Sequence, residues 1–573
     1  MKKTFITLSL LLAALMSQAQ QQLPQWANKL VSMNPGLIDS VRLIPFTQPK
    51  PGDYGYEENM EIDAAKLPTS TYMVYYHQPV QHSNPTGEQF PLRATISVFK
   101  DADVTKAANH VYCGGYAIED WWTKNPDLML YGLKNDNMTE IAFRYHGNLI
   151  CPEFRYFQYS SPVQCYNKLD GLTSEEAAQD FHNLINALKK VFKGKWAMTG
   201  ASKGGTATLL QHAFYPEDAD IFVPYCAPFF NSDRDTNMQQ YWLNNGWNKS
   251  YRDMFMAVRK TAVYRQEQIY PIFYKMAKTT GLSDNNIYAR YLENIAGFGF
   301  SEHTDLDTTD INRIMAFNLQ AMDKCGIKDY NDTVYAVMLY YCRFELKELE
   351  SWYPWLKGSG NMQAPASRLT CTAPRPISIT EAQWWGNEAI GKREQTYEYM
   401  SKTELGYYDL CFDGIVTPEE APAWNAEYKK YVGNLRDFYS PWFAQINYKS
   451  DIYNRAVTTT KNATQPIIFI YGEDDAWTGA AMRDEYINGS NVQKFVISGQ
   501  NHSVSFSSNA EPAKCNAIRA TLDGIFGTPQ GVEQTLSPAQ RTNSGKLVML
   551  NGQIYVSVGD QLFTLQGQRV STK

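Results

Sequence analysis

Residues 196–205 read Trp-Ala-Met-Thr-Gly-Ala-Ser-Lys-Gly-Gly, and this stretch decides the fold. Residues 195–199 form an apolar run typical of a buried strand, and residues 206–214 continue as an apolar helix. The Gly-x-Ser-x-Gly pattern between them is typical of a strained strand-to-helix turn that exposes a nucleophilic serine. Glycines flank such a turn because a Cβ would clash with the neighbouring strand or helix. We therefore predict Ser202 as a nucleophile, the alternative being an ordinary Gly/Ser turn.

A nucleophilic serine needs a histidine base, and α/β-hydrolases place it after the serine and the acidic residue in the chain. Among the eight histidines, only His303 and His502 follow the serine beyond its own helix. His502 follows the strand-like residues 494–498 in a loop. His303 lies in an acidic stretch, which favours a solvated surface imidazole. The pattern predicts His502 as the base.

The acid of such a triad is expected after the preceding strand of the sheet. Residues 466–471 read as an apolar strand, and the carboxylates Glu473, Asp474 and Asp475 follow it directly. Any of the three can orient the imidazole and stabilise its protonated form. The other two are then helix-capping or solvated loop charges.

The oxyanion of a tetrahedral intermediate needs aimed N–H donors. The backbone N–H of Lys203, directly after the serine, is the first predicted donor. The loop at residues 110–116 contains Gly114-Gly115-Tyr116, which suits close backbone approach, so Gly115 and Tyr116 are the predicted second donors. A plain Gly-Gly turn is the alternative for this segment.

The chain alternates strands and helices around these motifs, which predicts the α/β class with an α/β-hydrolase fold. Seven strands are predicted, at residues 94–99, 110–113, 149–154, 195–199, 221–226, 466–471 and 494–498. Thr173 to Glu176 form a capping box ahead of an amphipathic helix. Between residues 226 and 466 the strand signal is almost absent, and helical stretches such as 251–278 and 401–412 predict a large helical cap between the strand after the nucleophile helix and the strand that bears the acid.

The predicted organisation has five parts. They are a signal peptide at 1–19, a first part of the hydrolase core at 20–229, the helical cap at 230–462, a second part of the core at 463–527, and a linker with a short β-rich C-terminal tail at 528–573. The first 19 residues are a secretory signal with a small-x-small cleavage site, so we expect export to the periplasm, the cell surface or the exterior.

Composition narrows the partners and the compartment. The chain carries 53 basic and 59 acidic side chains and no basic tract, which argues against nucleic acid as a partner. Beyond the signal, no segment is apolar enough to predict a membrane span. The nine cysteines are too dispersed for a metal motif, and their odd number leaves at least one unpaired. Cys226 lies in an apolar run, where a thiol behaves as a small core hydrophobe.

The segment Pro152 to Pro162, with sequence PEFRYFQYSSP, resembles the signature E-H-R-Y-Y-G-x-S-x-P of the Pro-X carboxypeptidase and dipeptidyl peptidase II group. The serine motif with its following lysine is more similar to the related secreted tripeptidyl and prolyl tri/tetrapeptidyl aminopeptidases. In that wider group the acid stands in an Asp-Pro-Trp motif. The motif corresponds to residues 475–477 here, with alanine in place of proline, so the resemblance selects Asp475.

The resemblance implies a secreted serine exopeptidase that removes tripeptides, or tetrapeptides, from free peptide N-termini. It implies peptide substrates, and we expect no cofactor and no metal. Glu153 and Arg155 are predicted to bind substrate termini, the alternative being a buried ion pair that holds two strands together. A secreted carboxylesterase or lipase of the same fold is the alternative function, since it would share the triad.

Overall fold

A computed structural model describes most of the catalytic core and part of the cap. The described residues are 23–47, 67–118, 137–162, 169–245, 249–278, 282–297, 339, 396–435, 445–487, 491–527, 529, 546–550, 553–558, 561–563 and 569–570. The predicted signal peptide, His303 and nearly all of the predicted linker lie outside these residues.

A nine-stranded mixed sheet organises the core, in the order β1-β2-β3-β5-β4-β6-β7-β8-β9. Its strands are β1 (Ile38–Leu43), β2 (Thr69–Pro79), β3 (Gln89–Phe99), β4 (Asn109–Tyr112), β5 (Asn148–Pro152), β6 (Trp196–Ala201), β7 (Ile221–Tyr225), β8 (Ile467–Gly472) and β9 (Val492–Ile497). Strands β4 to β9 pair in parallel, whereas β1, β2 and β3 pair antiparallel and β3 joins β5 antiparallel. All seven predicted strands are present, and β1 and β2 are additional.

Helices connect the strands of the sheet and also make up much of the described segment between β7 and β8. They are α1 (Gln25–Ser32), α2 (Glu140–Arg144), α3 (Ser174–Lys189), α4 (Lys203–Phe214), α5 (Asn237–Asn244), α6 (Lys249–Tyr264), α7 (Gln266–Lys278), α8 (Asp284–Gly297), α9 (Ala421–Tyr431), α10 (Asp451–Lys461) and α11 (Pro512–Phe526). One half of the predicted capping box is present, since the Thr173 side chain accepts a hydrogen bond from the Glu176 N–H, whereas the Glu176 carboxylate accepts from the His82 N–H (2.8 Å). The parallel strands with helical crossovers confirm the α/β-hydrolase fold.

The segment between β7 and β8 contains helices α5 to α10, where the helical cap was predicted. Buried apolar side chains from α5 to α9 form a hydrophobic cluster that also includes Trp477, from the loop after β8. The predicted helix at 401–412 is wrong in its second half. A π-helical turn spans Ser401–Leu405, and Gly406 then takes a positive φ of 74° that ends it. The domain boundaries stay predictions.

The C-terminal region forms a separate small sheet of four antiparallel strands. They are β10 (Lys546–Leu550), β11 (Gln553–Val558), β12 (Gln561–Phe563) and β13 (Arg569–Val570). The alternating pattern of residues 546–565, interrupted by Asn551-Gly552 and Gly559-Asp560, predicts the first three of these strands, and β13 is additional.

Candidate active site

Ser202 lies in a sharp turn between strand β6 and helix α4. Its backbone angles are φ 57° and ψ −127°, and a positive φ is uncommon for a residue with a Cβ. The Ser202 N–H donates to the carbonyl of Tyr225 at the end of β7 (3.0 Å), and the Ser202 carbonyl accepts from the Thr206 N–H (3.0 Å). Bonds on both sides therefore hold the serine in a strained conformation, as a nucleophile elbow requires.

Close packing at the elbow explains the glycine that follows it. A Cβ at Gly204 would lie 2.0 Å from the carbonyl oxygen of Cys113, directly after β4. Real atoms never approach that closely, so any larger residue would push helix α4 away from the strand. The elbow can form at this place only because position 204 lacks a side chain.

Asp475 and His502 are hydrogen-bonded to each other at the same end of the sheet. His502 Nδ1 lies 2.8 Å from Asp475 Oδ2, and Asp475 Oδ1 accepts from the N–H of Trp477 (3.0 Å). Asp475 is fully buried, and the side chain of His502 is 10 % exposed. A carboxylate that accepts a hydrogen bond from Nδ1–H fixes the tautomer in which the lone pair of the ring is on Nε2, as a general base requires.

The other two carboxylates after β8 lie elsewhere. Glu473 is exposed, and its carbonyl accepts a hydrogen bond from the Tyr241 hydroxyl (2.8 Å) of cap helix α5. Asp474 is half-buried, and its N–H donates to Gln500 in the loop before His502 (2.9 Å). Among the three candidates, the structure thus brings Asp475 to the imidazole.

Cys226 is a further residue of this site, which the sequence analysis interpreted as a core hydrophobe. It follows β7 directly, and its Sγ, a carboxylate oxygen of Asp475 and a ring nitrogen of His502 lie within 4.8 Å of one another. Burial raises the pKa of the thiol to about 12, and the Asp475 charge acts in the same direction. The preceding Tyr225 carbonyl binds the Ser202 N–H. The end of β7 therefore contacts both the elbow and the acid–base pair. The sequence could have indicated Cys226 through its position, because β7 was predicted between the strands that bear the serine and the acid.

The loop after β4 lies against the N-terminus of helix α4. Gly115 has a φ of 75°, and a Cβ there would lie 2.7 Å from the backbone nitrogen of Gly204. Its carbonyl accepts a hydrogen bond from Lys203 Nζ. Lys203 is the first residue of α4, so helical bonding does not satisfy its N–H. The oxyanion roles of Lys203, Gly115 and Tyr116 stay predictions.

The side chain of Lys203 is buried among aromatic rings beneath the elbow. Its Nζ lies 3.4 Å from the ring centroid of Phe154, 5.1 Å from that of Phe157 and 5.3 Å from that of Tyr116. Cation–π attraction of this kind compensates part of the cost of burying the ammonium. The segment 152–162 that carries the family resemblance thus supplies two of the rings that support the residue next to Ser202.

Glu153 and Arg155 are fully buried in two separate ion pairs. Glu153 accepts from Arg93 at 2.6 and 2.9 Å, and Arg155 donates to Asp180 at 2.7 and 2.9 Å. Neither side chain is exposed to solvent. This placement corrects the predicted substrate contact, because a fully buried and paired side chain cannot reach a substrate terminus. The contacts support the alternative interpretation as buried ion pairs, with Arg93 as the partner of Glu153 and Asp180 as the partner of Arg155.

Glu140 of helix α2 binds both the end of β7 and the loop that follows His502. Its buried carboxylate accepts from the hydroxyl of Tyr225 (2.6 Å), the hydroxyl of Ser505 (2.7 Å) and the N–H of Ser507 (2.9 Å). Tyr225 ends β7, and Ser505 follows His502 by three residues. Burial raises the pKa of Glu140 to about 7. Nothing in the sequence around Glu140 indicates this role.

The cap packs onto the loop that bears the acid. The Trp477 ring lies 6.1, 6.0 and 5.7 Å from the rings of Phe230, Tyr407 and Tyr408, between centroids. On its other side it lies 6.3 Å from the imidazole of His502. Among the described residues, Trp477 thus lies near both the aromatic rings of the cap and the proposed base.

Comparison with known proteins finds a family model and a curated relative that each match part of the chain. Residues 62–316 match the family model of the PS-10 peptidase S37 family. A prolyl tri/tetrapeptidyl aminopeptidase from Streptomyces mobaraensis is 30% identical over 207 residues, which cover 36% of this chain and 39% of that protein. The chain therefore matches well under half of that relative's length. The two matches confirm the resemblance to this group of serine peptidases that the motifs indicated.

Two solved structures match the chain at very low sequence identity and with low TM-scores. A rice cell wall degrading esterase from Xanthomonas oryzae is 8% identical, with a TM-score of 0.34, over 86% of this chain and 100% of that chain. A peroxisomal alpha-beta-hydrolase from Saccharomyces cerevisiae is 9% identical, with a TM-score of 0.32, over 83% and 95%. Within the described part of the chain, no helix has the length and apolar character needed to cross a membrane.

Proposed function

We propose that this chain is a serine exopeptidase that releases tripeptides, or tetrapeptides, from the free N-termini of peptides. The observation that carries the proposal is the convergence at the end of β7 of a serine at a strained elbow and a buried Asp475–His502 pair 2.8 Å apart. The match of residues 62–316 to a peptidase family supports peptides as the substrate class.

The proposed reaction follows from these positions. The Ser202 hydroxyl attacks the scissile carbonyl while Nε2 of His502 takes its proton, and the buried Asp475 carboxylate stabilises the imidazolium. The Lys203 N–H and an N–H of the 115–116 loop stabilise the oxyanion. His502 then returns the proton to the leaving amine, and an acyl-enzyme remains on Ser202. Water attacks that ester with His502 again as base, which releases the N-terminal fragment.

Recognition of a free N-terminus is the finer part of the proposal. It is supported by the name of the Streptomyces mobaraensis relative and by the helical cap between β7 and β8, which can limit the depth of the cleft. A buried ammonium group requires a matched carboxylate. Acetylation of the substrate N-terminus removes the positive charge of the ammonium group, so we expect the rate of peptide cleavage to fall sharply.

Matched free and N-acetylated peptides, digested and analysed by mass spectrometry, test this proposal. We expect the free peptide to lose a tripeptide first, with internal bonds intact, and the acetylated peptide to be cut slowly. A Ser202→Ala variant controls for contaminating peptidases. Equal rates or scattered first cuts would indicate an endopeptidase with the same triad. Turnover of chromogenic esters without any peptide cleavage would instead favour the carboxylesterase alternative.

We further propose that the protein is exported. The N-terminal charge, apolar run and small-x-small site support this proposal. Cell fractionation with mass spectrometry of the mature N-terminus tests it, and a start at or near Gln20 is the expected result. A cytoplasmic protein that keeps residues 1–19 would contradict it.

A further inference from the structure

We propose that Cys226, Asp475 and His502 form an inhibitory site for a thiophilic divalent cation such as Zn²⁺. The proposal extends the proposed function, on which its effect on catalysis rests. The binding itself depends only on the three side chains.

The donor set is the first argument. A thiol sulfur, a carboxylate oxygen and an imidazole nitrogen lie within 4.8 Å of one another. Zn²⁺ accepts sulfur, nitrogen and oxygen ligands at about 2.0 to 2.3 Å, so its ligand atoms lie about 3 to 4 Å apart. Small side-chain rotations are therefore enough to bring all three donors onto one ion.

Burial is the second argument. Cys226 and Asp475 are fully buried, and the His502 side chain is 10 % exposed. A buried carboxylate is favourably placed for a cation because little water screens it. Three protein ligands leave the fourth tetrahedral position for water, and the partly exposed imidazole is on the side from which an ion would enter. On coordination the thiol proton is released to solvent.

The bound ion would act on the base rather than on substrate binding. His502 faces Asp475 through Nδ1, so coordination on that side uses Nδ1 and places the ring proton on Nε2. Nε2 can then no longer accept the Ser202 proton. The ion also replaces the Asp475–His502 hydrogen bond. We therefore expect Zn²⁺ to lower kcat while KM changes little, and a chelator to restore the rate.

The experiment combines inhibition with a direct binding signal. Zn²⁺ inhibition is compared in the wild type, Cys226→Ala and Cys226→Ser, each relative to its own rate in chelator. Cys515→Ala is the matched control, because Cys515 is another buried cysteine in helix α11. Loss of a ligand should raise the inhibitory concentration by at least about 100-fold, since even outer-shell changes cost metal sites up to that factor. Cys515→Ala should behave as the wild type.

Co²⁺ provides a readout that needs no activity. Ser202→Ala keeps all three ligands, so it should show thiolate-to-cobalt charge transfer although it is inactive, and Cys226→Ala and Cys226→Ser should not. Undiminished inhibition of both Cys226 variants, or no cobalt band in Ser202→Ala, would overturn the site. A Cys226-dependent band in a wild type without peptidase activity would support the site and refute the proposed function alone.

Discussion

Replacing Glu153 with alanine tests how the family-signature segment supports the site. The Glu153 carboxylate accepts five hydrogen bonds, from Arg93 Nε (2.9 Å) and Nη2 (2.6 Å), Ser160 Oγ (2.7 Å), the Ser160 N–H (3.1 Å) and the Ile118 N–H (2.9 Å). Its removal leaves the buried Arg93 guanidinium without its counter-charge. Breaking a buried pair from one side costs about 3–5 kcal/mol of unfolding free energy.

Urea denaturation followed by tryptophan fluorescence measures that loss, beside kcat and KM of the folded enzyme. Glu153→Gln keeps the shape and part of the hydrogen bonding, so it should lose less, about 1–3 kcal/mol. The exposed Glu88→Ala should stay within about 0.5 kcal/mol of the wild type. A Glu153→Ala variant with unchanged stability and a greatly raised KM would refute this reasoning, because it would place Glu153 on the substrate.

Three further predictions follow from individual contacts. Asp475→Asn should lower kcat by about 10⁴-fold through the wrong imidazole tautomer, whereas Asp474→Asn should have a much smaller effect; steady-state kinetics compares them, and the reverse order would place the acid at Asp474. Glu140→Gln should lower kcat by up to about 100-fold with little change in KM, because at least one of the three groups that donate to Glu140 then faces an amide NH₂. Equal kcat values in the variant and the wild type would show that Glu140 does not position the site. Burial lowers the pKa of His212 to about 4, and neither ring nitrogen has a hydrogen-bond partner among the described residues. The unfolded chain binds that proton near pH 6.5, so the free energy of unfolding should fall as the pH is lowered from about 6.5 to about 4. In urea titrations at the two pH values, His212→Leu should make this loss about 3 kcal/mol smaller. An equal loss in His212→Leu and in the wild type would contradict the assignment.

The central strands and the elbow are the parts that the sequence predicts best. Strands β5 to β8 are short, largely apolar runs buried in the sheet, so their composition alone indicates them. Strand β2 escapes prediction because polar residues such as Thr71 and Gln78 are buried among its apolar ones. The helix predicted over 401–412 fails after Leu405 because Gly406 ends the turn and Tyr408 bridges to Asp235.

Within the candidate site, the sequence indicates the residues whose side chains are common catalytic groups and lie in known motifs. Ser202 and His502 follow from motif and chain order, and Asp475 needed the family resemblance. Cys226 and Glu140 reach the site through contacts between elements far apart in the chain. Glu140 binds Ser505, 365 residues later, and such pairs leave no local pattern. Lys203 was predicted for its backbone alone, since its aromatic surroundings come from other segments.

Labelling with a fluorophosphonate probe, followed by peptide mapping, tests most directly whether Ser202 is the nucleophile. We expect the label on Ser202 in the wild type, and neither label nor turnover in Ser202→Ala, since removal of a triad member leaves only binding and oxyanion stabilisation. Ser503→Ala is the control, because Ser503 is exposed beside His502 and should label as the wild type does. Label on another serine, or labelling that survives in Ser202→Ala, would contradict the assignment.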